Sequence, residues 1–116
     1  MHFKLIIVMC DDEKTDEVLH AARDAGAKGA TVLNQARGEG LTGSKTFLGL
    51  SINSQVDVLL LLVEEHFSRY VLEEVARSGS FDETPGTGIA FQVDVEDAIG
   101  VHNQIQALSS DVEEMI

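Results

Sequence analysis

The sequence predicts one α+β domain in which an antiparallel sheet carries two helices on one face. The length of 116 residues is that of a single domain with its own hydrophobic core. Apolar, β-branched segments alternate with amphipathic segments in the order β-α-β, a glycine-rich loop, then β-α-β. The two halves repeat one pattern, in which an apolar strand leads into a helix that ends at glycine. These observations are typical of a ferredoxin-like βαββαβ sandwich.

The first half contributes a strand, a helix and a second strand. The run FKLIIVMC at 3–10 is short, apolar and β-branched, which predicts a buried strand. A helix is predicted from Asp12, because apolar side chains recur at helical spacing after an acidic first turn, and Gly26 supplies its C-terminal stop. The segment GATVLNQAR at 29–37 is the second predicted strand.

The second half begins with a glycine-rich segment, 38–54, which is predicted to be a loop between two strands. The third strand follows at 56–65, where the apolar core of VDVLLLLVEE indicates burial on both faces. A second helix is predicted over 67–79. Ser68 is its expected N-cap, and Gly79 marks its end.

The last third of the chain begins with a second loop, SFDETPGTG at 80–88. Alternation of apolar and polar residues then predicts a fourth strand over 89–101. Residues 1–101 therefore form the domain. The acidic tail at 102–116 is predicted to be a short helix or a frayed end.

The predicted sheet is unusually apolar for a monomer. Helices on one face leave the other face open to water, yet the strands carry apolar residues on both faces. A homo-oligomer that buries the open face is therefore expected.

Composition disfavours several classes of function. The net charge of −12, from 20 acidic and 8 basic residues, argues against nucleic acid and anionic membranes, since both require clustered lysine and arginine. No apolar run reaches the ~18 residues that span a bilayer, and the N-terminus lacks the pattern of a secretory signal. The single cysteine, Cys10, cannot form an internal disulfide, which fits a reducing cytoplasm.

The sequence partly matches two nucleotide-binding motifs but satisfies neither. Gly38, Gly40 and Gly43 spell GxGxxG, yet no amphipathic helix follows the third glycine, as a dinucleotide site requires. The run GSKT at 43–46 lacks the lysine directly after glycine that a phosphate-binding loop needs. The histidines are scattered, none with a partner at metal-binding spacing, and no carboxylate pair has acid–base spacing. The sequence therefore predicts neither a metal site nor an enzyme.

The turn PGTG at 85–88 is the better candidate for a ligand contact. Gly86 and Gly88 permit the positive φ with which backbone N–H groups converge on an anion. A plain turn into the last strand is the alternative.

The order and spacing of these segments resemble the nitrogen-regulatory PII family of signalling proteins. The resemblance covers residues 3–101 and rests on three features: GATV with a GxG loop start, the GTG turn before the last strand, and the closing VDVEDAIGV. It implies a compact homotrimer of ferredoxin-like subunits that are generally not enzymes. The T-loop would be 38–54, and the B-loop would be 80–88.

The resemblance implies an effector site, for example for an adenine nucleotide, in a cleft between subunits. Lys45 and Phe47, near the tip of the T-loop, are the expected contacts with a target, for which a membrane transporter or an enzyme is implied. The implied ligand-binding residues are Gly29, Ala30, Thr31, Arg37, Gly38, Glu39, Gly40, Gly86, Thr87 and Gly88.

Departures from the family pattern bear on the choice of effector. Ile89 stands where the family has a B-loop lysine, and the two family arginines after the last strand fall on Gly100 and His102. The loss of three cations removes charge-assisted hydrogen bonds to a triphosphate. ATP is therefore disfavoured in the family's usual mode, whereas a nucleotide with less phosphate, or another small ligand, stays open.

The sequence thus favours a regulator that binds a small effector at subunit interfaces and alters the contact of the T-loop with a target. Two alternatives stay open, a trimeric metal-binding protein of the CutA kind, which shares the architecture, and a structural module without a ligand. The effector, the target and any covalent modification are not determined by the sequence.

Overall fold

The computed structural model describes residues 1–38, 46–47, 50–51, 55–101 and 112–113. A short 3-10 turn, Asp12–Lys14, precedes the first helix, and the predicted βαββαβ order of the main elements is confirmed. Within the described residues the elements are β1 (Phe3–Asp11), α1 (Thr15–Ala25), β2 (Thr31–Arg37), β3 (Thr46–Phe47), β4 (Leu50–Ser51), β5 (Gln55–Glu64), α2 (Glu65–Ser78) and β6 (Gly88–Val95).

Four of these strands form one antiparallel sheet in the order β2-β5-β1-β6. The register places Ile7 of β1 opposite Leu60 of β5 on one side and opposite Phe91 of β6 on the other. Strands β2 and β6 are therefore the edges of this sheet. The short strands β3 and β4 pair with each other inside the segment predicted to be a loop, a hairpin that the glycine pattern did not indicate.

Both helices pack on the same face of the sheet, as predicted. Alternate residues of the two central strands point toward the helices and are almost fully buried, because successive strand side chains point to opposite faces. The helices contribute Val18, Ala22, Val71 and Val75 to this core. The strand residues in the core are Ile6, Val8, Cys10, Leu59, Leu61 and Val63.

The side chains on the other face of the sheet are largely apolar, and they are only partly buried. The exposed fractions are 51% for Leu33, 36% for Phe91 and 43% for Val93. The registers place these side chains on one surface, called here the open face. Its apolar members are Leu5, Ile7, Met9, Leu33, Val58, Leu60, Leu62, Ile89, Phe91 and Val93.

The start of α2 differs from the prediction. The helix begins at Glu65, and Glu64 is its N-cap, with an extended backbone and a carboxylate that accepts from the His66 N–H at 2.8 Å. Ser68, the predicted cap, lies one turn inside the helix, where its hydroxyl donates to the Glu65 carbonyl at 3.0 Å. The cap prediction was wrong because β5 runs directly into α2, and the last strand residue performs the capping.

The predicted bounds of two strands change by two residues or more. Strand β2 begins at Thr31 instead of residue 29, and β6 ends at Val95 instead of residue 101. The alternation of apolar and polar residues stops at Val95, and Ile99 is 98% exposed. Apart from residues 112–113, which are helical, the tail at 102–116 lies outside the described residues, so its prediction stays untested.

A small charged cluster joins β1 to the edge strand β6. The Lys4 ammonium donates to the Asp94 carboxylate, and Nε2 of His2 lies 3.3 Å from the same oxygen. The hydrogen bond from Lys4, followed by that from His2, lowers the pKa of Asp94 below its ordinary value.

The Asp94 carboxyl is therefore expected to titrate at lower pH than an isolated aspartate. The sign follows from linkage: a lowered folded-state pKa gives stabilisation that is present at neutral pH and is lost as the pH falls through that pKa. The stabilisation is small because the pair is exposed to solvent. A carbon-13 NMR titration measures this pKa, and Lys4→Met should raise it. An unchanged titration in that variant would contradict the assignment.

Candidate functional site

The predicted ligand residues on β2 lie at its two ends. Gly29, Ala30 and Thr31 are exposed at the start of the strand. Arg37 is the last residue of β2, and Gly38 follows it as a buried residue. A seven-residue strand separates its ends by about 20 Å. One small ligand on a single chain cannot contact both groups.

The backbone of β2 is irregular just before Arg37. The register with β5 shifts between Leu33 and Ala36, and Gln35 adopts a φ of 64°. The N–H of Gln35 donates to Oδ1 of Asp57 at 3.4 Å. Asp57 is almost buried, and its Oδ2 accepts from the Thr15 hydroxyl at 2.7 Å. This carboxylate therefore joins β2 to the start of α1.

The B-loop at 80–88 is held by hydrogen bonds from within the subunit. The Thr87 carbonyl accepts from the Asp11 N–H at 3.0 Å, which ties the loop to the end of β1. The Thr87 hydroxyl lies 3.0 Å from the Ser80 carbonyl and 2.9 Å from the Thr84 carbonyl, so its proton is directed into the loop. Gly86 has a φ of 85°, a conformation that glycine adopts without strain.

Gly88 is required for a different reason from the one predicted. Its φ is not in the positive region, so positive φ does not explain the glycine. A Cβ on Gly88 would lie 2.5 Å from Cε1 of Phe81 and 2.8 Å from the Met9 carbonyl oxygen. Gly79 is also covered by the Phe81 ring, which lies 2.2 Å from the position of its Cβ. Both glycines make room for one aromatic side chain.

Surface hollows adjoin two of the predicted ligand segments. Lys28, Gly29, Ala30 and Thr31 line a hollow of about 270 Å³ with Leu60 and Leu62 of the open face. A second hollow of about 380 Å³ lies between α2, the B-loop and β6, where Gly88 and Ile89 meet Phe81. The first hollow combines an apolar wall with exposed backbone and a lysine. It therefore has the composition of half a site for an anionic, partly apolar ligand.

The predicted ligand segments lie on opposite edges of the sheet. Gly88 pairs with Cys10 at one end of β6, whereas Arg37 ends β2 on the other edge and Gly38 follows it. Three strand spacings, about 14 Å, separate the two edges. The structure therefore brings neither Gly29–Thr31 nor Arg37–Gly38 against Gly86–Gly88 within one chain.

Several predicted site residues lie outside the described part of the chain. These are Glu39, Gly40 and Lys45, together with His102. The backbone of Phe47 belongs to β3, and its side chain is not described. The predictions for these residues stay untested.

One group of potential metal ligands differs from the expectation that no histidine has a suitable partner. Ligand atoms of Glu64, Glu65 and His66 lie within 4.8 Å of one another. However, the Glu64 carboxylate is buried and already engaged by the backbone N–H and Nδ1 of His66, at 2.8 and 2.5 Å. The capping of α2 accounts for this arrangement without an ion.

Cys10 has the environment of an inert core thiol. It is fully buried, and its Sγ lies 3.7 Å from the Thr15 hydroxyl oxygen. Burial, aided by the negative charge of Asp57, raises the pKa of the thiol. The reactive thiolate is therefore disfavoured at neutral pH.

Sequence reasoning missed three residues that shape the candidate site: Lys28, Asp57 and Phe81. Lys28 directly precedes the predicted segment Gly29–Thr31, so its place in the hollow had a sequence signal. Asp57 is an acid that interrupts the apolar run from Val56 to Val63 of β5, which is a signal for a partnered buried charge. Nothing in the sequence indicated that Phe81 covers two glycines.

No helix of the described residues is long and apolar enough to cross a membrane. No curated protein gives a significant match to the chain. A PII-like signalling protein from Thermus thermophilus is similar in fold, with a TM-score of 0.60, 23% sequence identity, and coverage of 82% of this chain and 88% of that chain. CPII from Thiomonas intermedia, in a structure with ADP, AMP and acetate, also has a TM-score of 0.60, with 18% identity and coverage of 83% and 90%.

These likenesses show a shared fold, and the family model gives the assignment. The model for nitrogen regulatory protein P-II matches residues 3–104, nearly the whole chain. The confirmed βαββαβ order and the two helices on one face of the sheet agree with that match. The chain therefore belongs to the nitrogen regulatory protein P-II family.

Proposed function

We propose that this protein is a cytoplasmic, homotrimeric regulator that binds ADP or AMP between subunits and controls a target through the T-loop at 38–54. The observation that carries the proposal is the division of the candidate site between both edges of the sheet. In a family of signalling proteins, such a division favours a site that a second subunit completes.

The open face supports assembly. Leu33, Phe91 and Val93 are each more than one third exposed, and they continue into the half-buried apolar residues of the central strands. A contiguous apolar surface of this kind is a marker of a protein interface. Burial of such residues yields roughly 25 cal/mol per Å² of apolar area, which favours a closed oligomer over an exposed sheet.

Assembly is also what the candidate ligand site needs. The hollow beside Gly29–Thr31 opens at the β2 edge, whereas Gly86 and Thr87 lead into β6, the strand at the opposite edge, which begins at Gly88. Two subunits that place unlike edges together would enclose a ligand between these segments. The Leu60 and Leu62 side chains would contact its apolar base, and Lys28 would contact its anionic part.

The available cations favour a nucleotide with one or two phosphates. Ile89 and Gly100 offer no charge where related proteins carry cations, and the chain as a whole has a net charge of −12. A triphosphate needs several charge-assisted hydrogen bonds to offset its desolvation. The similar protein CPII is bound to ADP and AMP in its structure, which supports the same ligand class here.

The proposed output is a change in the contacts of the T-loop. Arg37 and Gly38 connect β2 to this loop, so a ligand at the end of β2 acts where the loop begins. Differential contact with the ligand would shift the loop between two arrangements. Lys45 and Phe47 are the proposed contacts with a target, a membrane transporter or an enzyme. In this proposal the protein itself has no catalytic role.

Titration calorimetry with AMP, ADP and ATP tests the proposal on the intact protein. Saturable binding of AMP or ADP, with one site per subunit and weaker binding of ATP, is expected. Equal or tighter binding of magnesium-ATP would contradict the argument from the missing cations. The absence of any adenine nucleotide binding would overturn the proposed effector.

Lys28→Ala is expected to weaken ADP binding about tenfold. A charged hydrogen bond contributes about 1.5 kcal/mol or more, which corresponds to a factor of ten in affinity. Lys14→Ala is the matched control, because Lys14 lies at the opposite end of α1 and lines none of the hollows described above. Equal affinities for the two variants, measured by calorimetry, would remove Lys28 from the site.

A further inference from the structure

We infer that Asp57 is a positioning residue, which holds the irregular end of β2 in the conformation that presents Arg37 and Gly38. The inference rests on the proposed function to the extent that Arg37 and Gly38 belong to the ligand site and the base of the T-loop. The positioning of the β2 end by Asp57 involves only residues that the structure describes. It can therefore be tested without a ligand.

The carboxylate of Asp57 is anchored on the helix side of the sheet. Asp57 is 8% exposed, and its Oδ2 accepts from the hydroxyl of Thr15, which is 7% exposed, at 2.7 Å. Thr15 is the first residue of α1, so the negative charge lies near the positive end of the helix dipole. Because the Thr15 proton is directed at Asp57, the Cys10 thiol is left to donate to the Thr15 oxygen at 3.7 Å. These contacts fix the position of the carboxylate.

The other oxygen of Asp57 supports a strained backbone. Oδ1 lies 3.4 Å from the N–H of Gln35, whose φ is 64°. A glutamine is disfavoured in this left-handed region and keeps it only when its surroundings impose it. The register shift between Leu33 and Ala36 shows that the pairing of β2 with β5 is interrupted at the same place. A charged acceptor at this point compensates for the lost ladder hydrogen bond.

The position of Gln35 determines how β2 ends. Pairing with β5 resumes at Ala36 and Arg37, opposite Val56 and Gln55. A register that slips by one residue sends every following side chain to the other face of the sheet. Asp57 also pairs across the sheet with Cys10, which in turn pairs with Gly88. One row of residues therefore connects the irregular segment of β2 with the B-loop edge.

Asp57→Ala is expected to release this segment locally. The amide of Gln35 should exchange with solvent at least about tenfold faster, because it loses its acceptor. The amide of Ile6, in the centre of the sheet, should change less than about twofold if the loss is local. Asp57→Asn keeps the shape of the side chain and a weaker acceptor, so it should fold and give an intermediate increase. Hydrogen exchange by NMR on the ligand-free protein measures both amides.

A second substitution separates positioning from general support of the fold. Asp57→Ala should also weaken ADP binding, because it releases the strand end that presents Arg37 and Gly38. Gln35→Gly removes the cost of the positive φ, so Asp57→Ala/Gln35→Gly should recover most of that affinity. Glu64→Gln is the matched control. It alters the other buried carboxylate of β5 at the far end of the strand, and it should leave Gln35 exchange and ADP affinity unchanged.

The outcomes separate this inference from the proposed function. If Asp57→Ala and Asp57→Asn leave the Gln35 amide as protected as in the wild type, the inference is overturned whatever the nucleotide results are. If Glu64→Gln accelerates Gln35 exchange equally, Asp57 has no specific role and the inference fails. If the wild type binds no nucleotide while Gln35 exchange responds as expected, Asp57 positions the strand end and only the proposed effector is wrong.

Discussion

Phe91→Asp is expected to dissociate the proposed homotrimer into folded monomers. Phe91 lies on the open face at the edge strand β6, opposite Ile7 of β1, and is 36% exposed in the single chain. In an assembly that covers this face, each subunit would bury an aspartate without a partner. The effective penalty for a buried, unpaired charge is several kcal/mol per ion, and a symmetric trimer incurs it three times. In the monomer the same carboxylate would be solvated, so the fold should persist.

Light scattering after size exclusion measures this result directly. The wild type is expected at the mass of three 12.6-kDa chains, about 38 kDa, and the variant at that of one chain. Tyr70→Asp is the matched control, because Tyr70 is also an exposed aromatic residue, 54% accessible, but lies on α2 away from the open face. A wild type that is monomeric at micromolar concentration, or a Phe91→Asp protein that keeps the wild-type mass, would contradict assembly through this face.

Gly88→Val is expected to destabilise the fold by about 3 kcal/mol, and by this route to disturb any ligand site nearby. The added Cβ would meet the Phe81 ring at 2.5 Å and the Met9 carbonyl oxygen at 2.8 Å. The ring can turn aside, whereas the carbonyl belongs to the central strand β1 and cannot move without breaking sheet pairing. For a domain of this size the melting temperature should fall by roughly 10 °C, which differential scanning calorimetry measures.

Two variants test the cause of this loss. Gly29→Ala is a matched control, since nothing lies within 4 Å of its Cβ position, and its melting temperature should stay close to that of the wild type. In a double-mutant cycle with Phe81→Ala, Gly88→Ala should cost less in the absence of the ring than in its presence. Strict additivity would show that Phe81 does not explain the glycine. Loss of ligand binding in a Gly88 variant is therefore informative only when its stability is measured too.

The candidate site was only partly accessible from the sequence. The sequence singled out the glycines at 86 and 88, and the structure gives a steric or conformational reason for each, whereas the Cβ position of Gly29 is open. Which reason applies could not be told: Gly86 has a positive φ, whereas Gly88 avoids a collision with a side chain seven residues earlier. The role of Asp57 depends on contacts with Thr15 and Gln35, which are 42 and 22 residues away.

The N-cap of α2 is another feature that the sequence alone did not predict. Ser68 satisfies the usual preference for an N-cap, but the structure uses Glu64, since the helix follows β5 without a loop. A local sequence pattern shows only which residue types are preferred at an N-cap. Where a strand runs into a helix without a linker, the geometry of the junction decides which residue becomes the cap.

The sequence by itself determined the order of the elements and which residues of the two helices face the core. Helical spacing in α1 and α2 is a periodic signal, and the hydrophobic effect acts on it wherever the chain folds. Alternation in β6 identified the strand, but its apolar residues Phe91 and Val93 lie on the open face and not in the core. Only the tertiary structure decided the strand order β2-β5-β1-β6, which puts Arg37 on one edge of the sheet and Gly88 on the other. It also decided that Asp57 meets Gln35 and that Phe81 covers Gly88. Such contacts depend on distances between segments far apart in the chain, and no periodicity within a single segment encodes those distances.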